Sequence, residues 1–134
     1  MVRKVVSVKG TMTIENAVKL MNDHGIGSLV VIENGKPAGI VTERDMLTRV
    51  LLVSKNPKKT KVSQIMSHPL IFGTTQMKLE EAVRLMIEHK IKKLPVTKDG
   101  NLVGLMTLTV VLHFQPQLLR IYGILSGEIT TKIR

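Results

Sequence analysis

Apolar side chains recur at helical spacing in two places along the chain. Ile14, Ala17, Val18 and Met21, and later Leu79, Ala82, Val83 and Met86, fall at i, i+3, i+4 and i+7. That spacing predicts two amphipathic helices of about three turns each. Two short β-rich runs follow each helix. Residues 28–32 close on Asn34-Gly35 and residues 94–97 on Asp99-Gly100, dipeptides that tolerate the positive φ of a tight hairpin. The return strands are expected at 38–41 and 103–106. Thr42 and Thr107 then stand where second helices begin, over 43 to about 53 and 108 to about 114, with Pro116 limiting the latter. With opening strands expected at 4–8 and 70–72, the pattern reads strand, helix, strand, strand, helix, twice.

The two readings are copies of one unit. Residues 12–47 lie over 77–112 at a constant offset of 65 without a gap, and 14 of the 36 pairs are identical, from Met12/Met77 to Leu47/Leu112. Agreement on that scale identifies an internal repeat. A small sheet with helices on one face leaves its other face apolar, and a related copy is the natural cover. The expected fold class is therefore α+β, with two βαββα repeats packed through their sheets as a pseudo-two-fold pair. The expected divisions are a first motif at 4–53, a basic linker at 54–62, a second motif at 63–115 and a C-terminal helix or tail at 116–134. The linker run SKNPKKTK holds four lysines, a proline and no apolar residue, so it is expected at the surface. Ser63 is expected to cap a single turn over 64–66.

Four segments stand out: Gly39-Ile40-Val41-Thr42-Glu43-Arg44-Asp45, the Ile26-Gly27-Ser28-Leu29-Val30-Val31 entry to a strand, Lys92-Lys93-Leu94-Pro95-Val96, and Val62-Ser63-Gln64-Ile65-Met66. Together they resemble tandem CBS domains, the cystathionine-β-synthase motif paired as a Bateman module. The resemblance covers roughly residues 4 to 115, and the doubled pattern makes it specific. It implies a non-catalytic regulator that senses an adenosine nucleotide (AMP, ADP or ATP) or S-adenosylmethionine in a cleft between the motifs. It also implies a stand-alone pair that forms homodimers and passes its state to an unknown effector protein. The residues it assigns to nucleotide are Gly39, Ile40, Thr42, Asp45, Ile91 and Lys92, with adenine along His68, Pro69, Leu70 and Ile71. No cofactor beyond that regulatory ligand is implied.

The residues themselves support two readings of Thr42 and Asp45. At the first turn of a helix, unpaired N–H groups and the positive end of the dipole favour an anion. An acceptor-only carboxylate three residues on suits the two hydroxyls of a ribose, while the Thr hydroxyl suits a phosphate. Thr-x-x-Asp is equally close to a capping box. The second copy is an internal control: Thr107 keeps the cap, but Val110 stands where Asp45 is in the first. Valine accepts no hydrogen bond, so the second copy is expected to bind weakly or not at all. Gly39 allows a ligand or a strand to approach the backbone closely.

Composition narrows the function classes. The chain has 134 residues with 43% hydrophobic content and no cysteine, which excludes disulfide scaffolds, thiolate metal sites and Cys nucleophiles. Its opening, MVRKVVSVKG, lacks a signal-peptide h-region, so a cytoplasmic address is expected. Residues 100–119 carry no charge, but Asn101, His113, Gln115 and Gln117 among them argue against a membrane helix. His24 and His89 are repeat equivalents without a metal-ligand pattern around them. Net charge is +10, with Lys90, Lys92, Lys93 and the linker lysines prominent. Such a field attracts nucleotides and also RNA or DNA. Only three aromatic rings leave little for base stacking, which ranks nucleic acid as the alternative.

Overall fold

The computed structural model describes residues 5–114 and 117. They form two units, one running Val5–Leu70 and a second that begins at Ile71, and each holds one repeat. The tail reading over 116–134 lies outside the described residues except at Gln117.

In the first unit, β1 (Ser7–Lys9) pairs in parallel with β2 (Ser28–Glu33), which pairs antiparallel with β3 (Lys36–Thr42). Helix α1 (Ile14–His24) crosses between β1 and β2. In the second unit, β4 (Gly73–Thr74), β5 (Lys93–Lys98) and β6 (Asn101–Thr107) repeat that order and those directions, and α3 (Leu79–Glu88) makes the crossover. Fold class and element order are thus those the periodicity predicts, with three strands in each sheet. Both hairpin turns take positive φ at both central residues, Asn34-Gly35 and Asp99-Gly100, as a two-residue turn requires. Each core is aliphatic: Ile14, Ala17, Met21, Leu29, Val31 and Val41 in the first unit, Ala82, Val83, Met86, Leu94, Val96 and Val111 in the second.

Four local expectations are corrected. The opening strand of the second repeat is Gly73–Thr74, not 70–72; Leu70 is buried without joining the sheet. The second helix of the first repeat is α2 (Glu43–Met46), which continues as a π-helical turn over Leu47–Leu51 and does not reach 53. Ser63 lies inside a short 3-10 turn, Val62–Gln64, and the Gln64 amide oxygen, not Ser63, caps it by accepting from Lys61 N at 2.7 Å. Val18, placed by its spacing on the apolar face of α1, is 43% exposed, whereas its equivalent Val83 is fully buried.

The linker, finally, is exposed from Ser54 to Lys59 but is bound to the unit. Ile14 N donates to Thr60 O and Glu15 N to Pro57 O, while Val62 N and Ser63 N donate to Met12 O and Gly10 O. Two of the orphan donors of α1 are therefore satisfied by linker carbonyls, in addition to the Thr13 hydroxyl that accepts from Asn16 N. This tie is invisible to composition, because backbone carbonyls carry it.

Candidate functional site

The strand β3 delivers Gly39, Ile40 and Thr42 to the start of α2. Ile40 N donates to Ser67 O at 3.1 Å and Ser67 N to Ile40 O at 2.9 Å, so residues 66–67 close the outer edge of β3 as an antiparallel bridge. A Cβ on Gly39 would stand 2.6 Å from Met66 Sδ and 2.7 Å from Ser67 O. The close approach that glycine permits here is made by the protein's own 66–67 segment. Beyond it, His68 and Pro69 are exposed, joined by a cis peptide, and Leu70 is buried.

At the helix start both halves of the capping box are made. Asp45 N donates to Thr42 Oγ1 at 3.2 Å, and Asp45 Oδ2 accepts from Thr42 N at 2.9 Å and from Thr42 Oγ1 at 3.1 Å. The Asp45 side chain is only 12% exposed. Its second oxygen, Oδ1, faces Arg49 Nε at 3.5 Å, and Arg49 Nη1 donates to Ile65 O at 2.7 Å. Thr107 repeats the cap alone, accepting from Val110 N at 3.2 Å. A helix starts there without a carboxylate, so the Asp45 charge is not needed for capping.

Seven of the ten residues assigned from the sequence, Gly39, Ile40, Thr42, Asp45, His68, Pro69 and Leu70, lie in the first unit. Ile71, Ile91 and Lys92 belong to the second. There Ile71 and Ile91 are half-buried against the aliphatic core. Lys92 is exposed, its carbonyl accepting from Leu108 N at 2.9 Å, and Lys90 sits at φ 55° just past the end of α3. The residue that sequence reasoning missed is Arg49. Its i, i+4 spacing from Asp45 was the available signal.

A surface groove of about 400 Å³ runs between α1 and α2, lined by Val18, Met21, Ile26, Met46 and Leu47 among others. Leu51, Leu52 and Val53, which follow Leu47 in the chain, are also exposed. Among the described residues no group of three or more His, Cys, Asp or Glu gathers as a metal site, and no helix is long and apolar enough to cross a membrane.

Comparison with known proteins gives the same pattern. The CBS domain family model matches residues 1–52 and 62–116. An uncharacterized protein of Methanopyrus kandleri is 38% identical over 87% of this chain, which spans 60% of that relative's length. The solved structure titled as a putative signal-transduction protein with CBS domains, from Burkholderia ambifaria, aligns with a TM-score of 0.77 at 34% identity, covering 84% of this chain and 83% of its own. A hexameric CBS-CP12 protein from bloom-forming cyanobacteria aligns with a TM-score of 0.78 at 28% identity, covering 90% and 70%. Tandem CBS proteins are commonly regulatory modules, generally without catalysis, and often bind adenine nucleotides and oligomerise. With two matched copies spanning most of its length, the chain belongs to the CBS-domain family as a tandem pair.

Proposed function

We propose that the chain is a non-catalytic sensor that binds an adenosine nucleotide (AMP, ADP or ATP) at Thr42 and Asp45, and that its state is read by a partner. The observation that carries this is the buried carboxylate of Asp45 in the first repeat against Val110 in the second. Both helices start on a threonine cap, so the additional charge has a use beyond the cap. A ribose diol is the neutral donor pair that a carboxylate of this kind takes. Calorimetry against AMP, ADP, ATP, S-adenosylmethionine and NAD tests the ligand class. Asp45→Ala should weaken the best ligand about ten- to hundredfold, the loss of charge-assisted bonds. Unchanged affinity in that variant removes the ribose assignment.

The same reading includes a homodimer. Leu51 and Leu52 are 71% and 77% exposed on the turn that continues α2, where Leu47 and Val53 are exposed as well, and apolar residues exposed together in this way mark an interface. Sedimentation should show a dimer that the double variant Leu51→Lys, Leu52→Lys converts to monomer. A monomeric wild-type chain at micromolar concentration rejects this part of the reading.

One observation favours a second partner class. Lys55, Lys58 and Lys59 are exposed on a turn ordered by Asn56, whose side chain accepts from Lys58 N and whose carbonyl accepts from Lys59 N and Thr60 N. Gel shifts with RNA and DNA over a salt series test it: phosphate contacts lose affinity steeply between low and moderate salt. No shift at low salt eliminates nucleic acid.

A further inference from the structure

We infer that Arg49 is a positioning residue that reports the state of the Asp45 carboxylate to the 61–67 segment, the stretch of chain that leads to the second unit. The inference deepens the nucleotide reading and rests on it for the identity of the ligand, but not for the coupling itself.

Asp45 divides its two oxygens between two tasks. Oδ2 is occupied by the cap, taking both the Thr42 amide and hydroxyl. Oδ1 is the oxygen with acceptor capacity remaining, and among the described residues its cationic partner is Arg49. Arg49 spans two anchors with one planar fork. Its Nε faces Asp45 and its Nη1 donates to the carbonyl of Ile65, sixteen residues away. Ile65 is buried, and the two residues after it make the bridge on Ile40 and the contact on Gly39. Carboxylate, guanidinium, Ile65 carbonyl and the β3 edge thus form one continuous path.

Two further features belong to the same place. The helix widens to a π turn over Leu47–Leu51, around Arg49. Insertions of this kind recur at functional positions in helices. In the second repeat both members of the pair are replaced together: Val110 stands for Asp45 and Phe114 for Arg49. Where the carboxylate is absent, the guanidinium that faces it is absent too.

The consequence is competition. A ligand hydroxyl that donates to Oδ1 takes the oxygen that Arg49 faces, and an arginine relieved of one anchor holds the other less firmly. Occupancy at the start of α2 is then felt at Ile65 and at the Ser67 bridge. Arg49 is half-exposed, so screening by water keeps the coupling modest, about two- to fivefold in rate or affinity.

The test is amide hydrogen exchange at Ser67 and Ile40 in the full chain, without ligand, for wild type, Asp45→Asn, Arg49→Gln and the double variant. Asparagine keeps an oxygen for the Thr42 amide but removes the charge that Arg49 faces. Exchange at both amides should rise about two- to fivefold in each single variant, with no further rise in the double, because both act through one path. Exchange at Ser67 unchanged in Asp45→Asn overturns the inference, whatever nucleotide does.

A second measurement, calorimetry with the best adenosine ligand, should find Arg49→Gln binding about two- to fivefold tighter and Arg49→Lys near wild type. A residue with a merely structural role would weaken binding or leave it alone, and either result also counts against the inference. If no adenosine ligand binds the wild-type chain, the nucleotide reading falls while the exchange result still decides the coupling.

Discussion

The two repeats are alike in backbone and different in what their second helices carry. Both have a three-stranded sheet of the same order, a crossover helix, a two-residue hairpin turn and a threonine cap. The first carries Asp45 and Arg49 on its second helix, which continues as a π turn, and Ser67 closes its outer sheet edge. The second has Val110 and Phe114 in those places, and a glycine that ends α1 is replaced by Lys90 after α3. Fold and chemistry are therefore separable here. The identical pairs include core and turn positions such as Ala17/Ala82, Met21/Met86 and Gly35/Gly100, while all four residues of α2, Glu43–Met46, differ from their equivalents.

The largest effect expected is at Gly39. Alanine there places a Cβ 2.6 Å from Met66 Sδ and 2.7 Å from a backbone oxygen. The thioether can turn away, but the Ser67 carbonyl is held by its bridge. Gly39→Ala should cost about 2–3 kcal/mol, seen as a lower urea midpoint, since overpacking of this kind forces backbone shifts. A neutral substitution would mean that the 66–67 segment is not fastened to β3.

Next come the two caps. Thr42→Val removes the acceptor for Asp45 N and one of the two donors on Asp45 Oδ2, while Thr107→Val removes one acceptor only. Unfolding should register about 1–2 kcal/mol at 42 and about 0.5–1 kcal/mol at 107. Equal losses would break the comparison between a box and a simple cap.

The smallest effect concerns the helix ends. Gly25 has φ 61° and nothing within 4 Å of where a Cβ would stand, and Lys90 has φ 55° at the equivalent place. The left-handed conformation costs a side-chain residue about 1 kcal/mol, so Lys90→Gly should stabilise by about 0.5–1 kcal/mol and Gly25→Lys should destabilise by about 1 kcal/mol. Opposite signs in thermal unfolding confirm that the two ends share one geometry. Weaker nucleotide binding in Lys90→Gly, with stability raised, would add a ligand contact to that lysine.

The features legible in the sequence were those with a short-range signal. Ile14, Ala17 and Met21 pack inward because period and burial coincide, and Asn34-Gly35 turns because both residues accept positive φ. The capping box was legible in Thr42 and Asp45 as one of two open readings. Three features escaped. The Gly73–Thr74 strand is only two residues long, and the apolar run Leu70-Ile71-Phe72 before it is a stronger β signal than the strand itself. Val18 obeys the helical period yet lies over a groove, because α2 does not close on α1 as the helices of the second unit do on Val83. The reach of Arg49 to Ile65 is a contact sixteen residues away, which no local pattern encodes, and nothing in the local sequence announces the π turn around it.

The linker's hold on α1 changes where one repeat stops. By sequence register, Ser67 corresponds to position 2, ahead of the first repeat's opening strand, so it counts as the leader of the second copy. Yet it is Ser67 that finishes the sheet of the first, and Pro57 and Thr60 that close its helix. A first repeat excised at the end of its second helix would lose its clasp. The smallest autonomous piece borrows its last stitches from its successor, and a duplication of this module has to copy the seam along with the cloth.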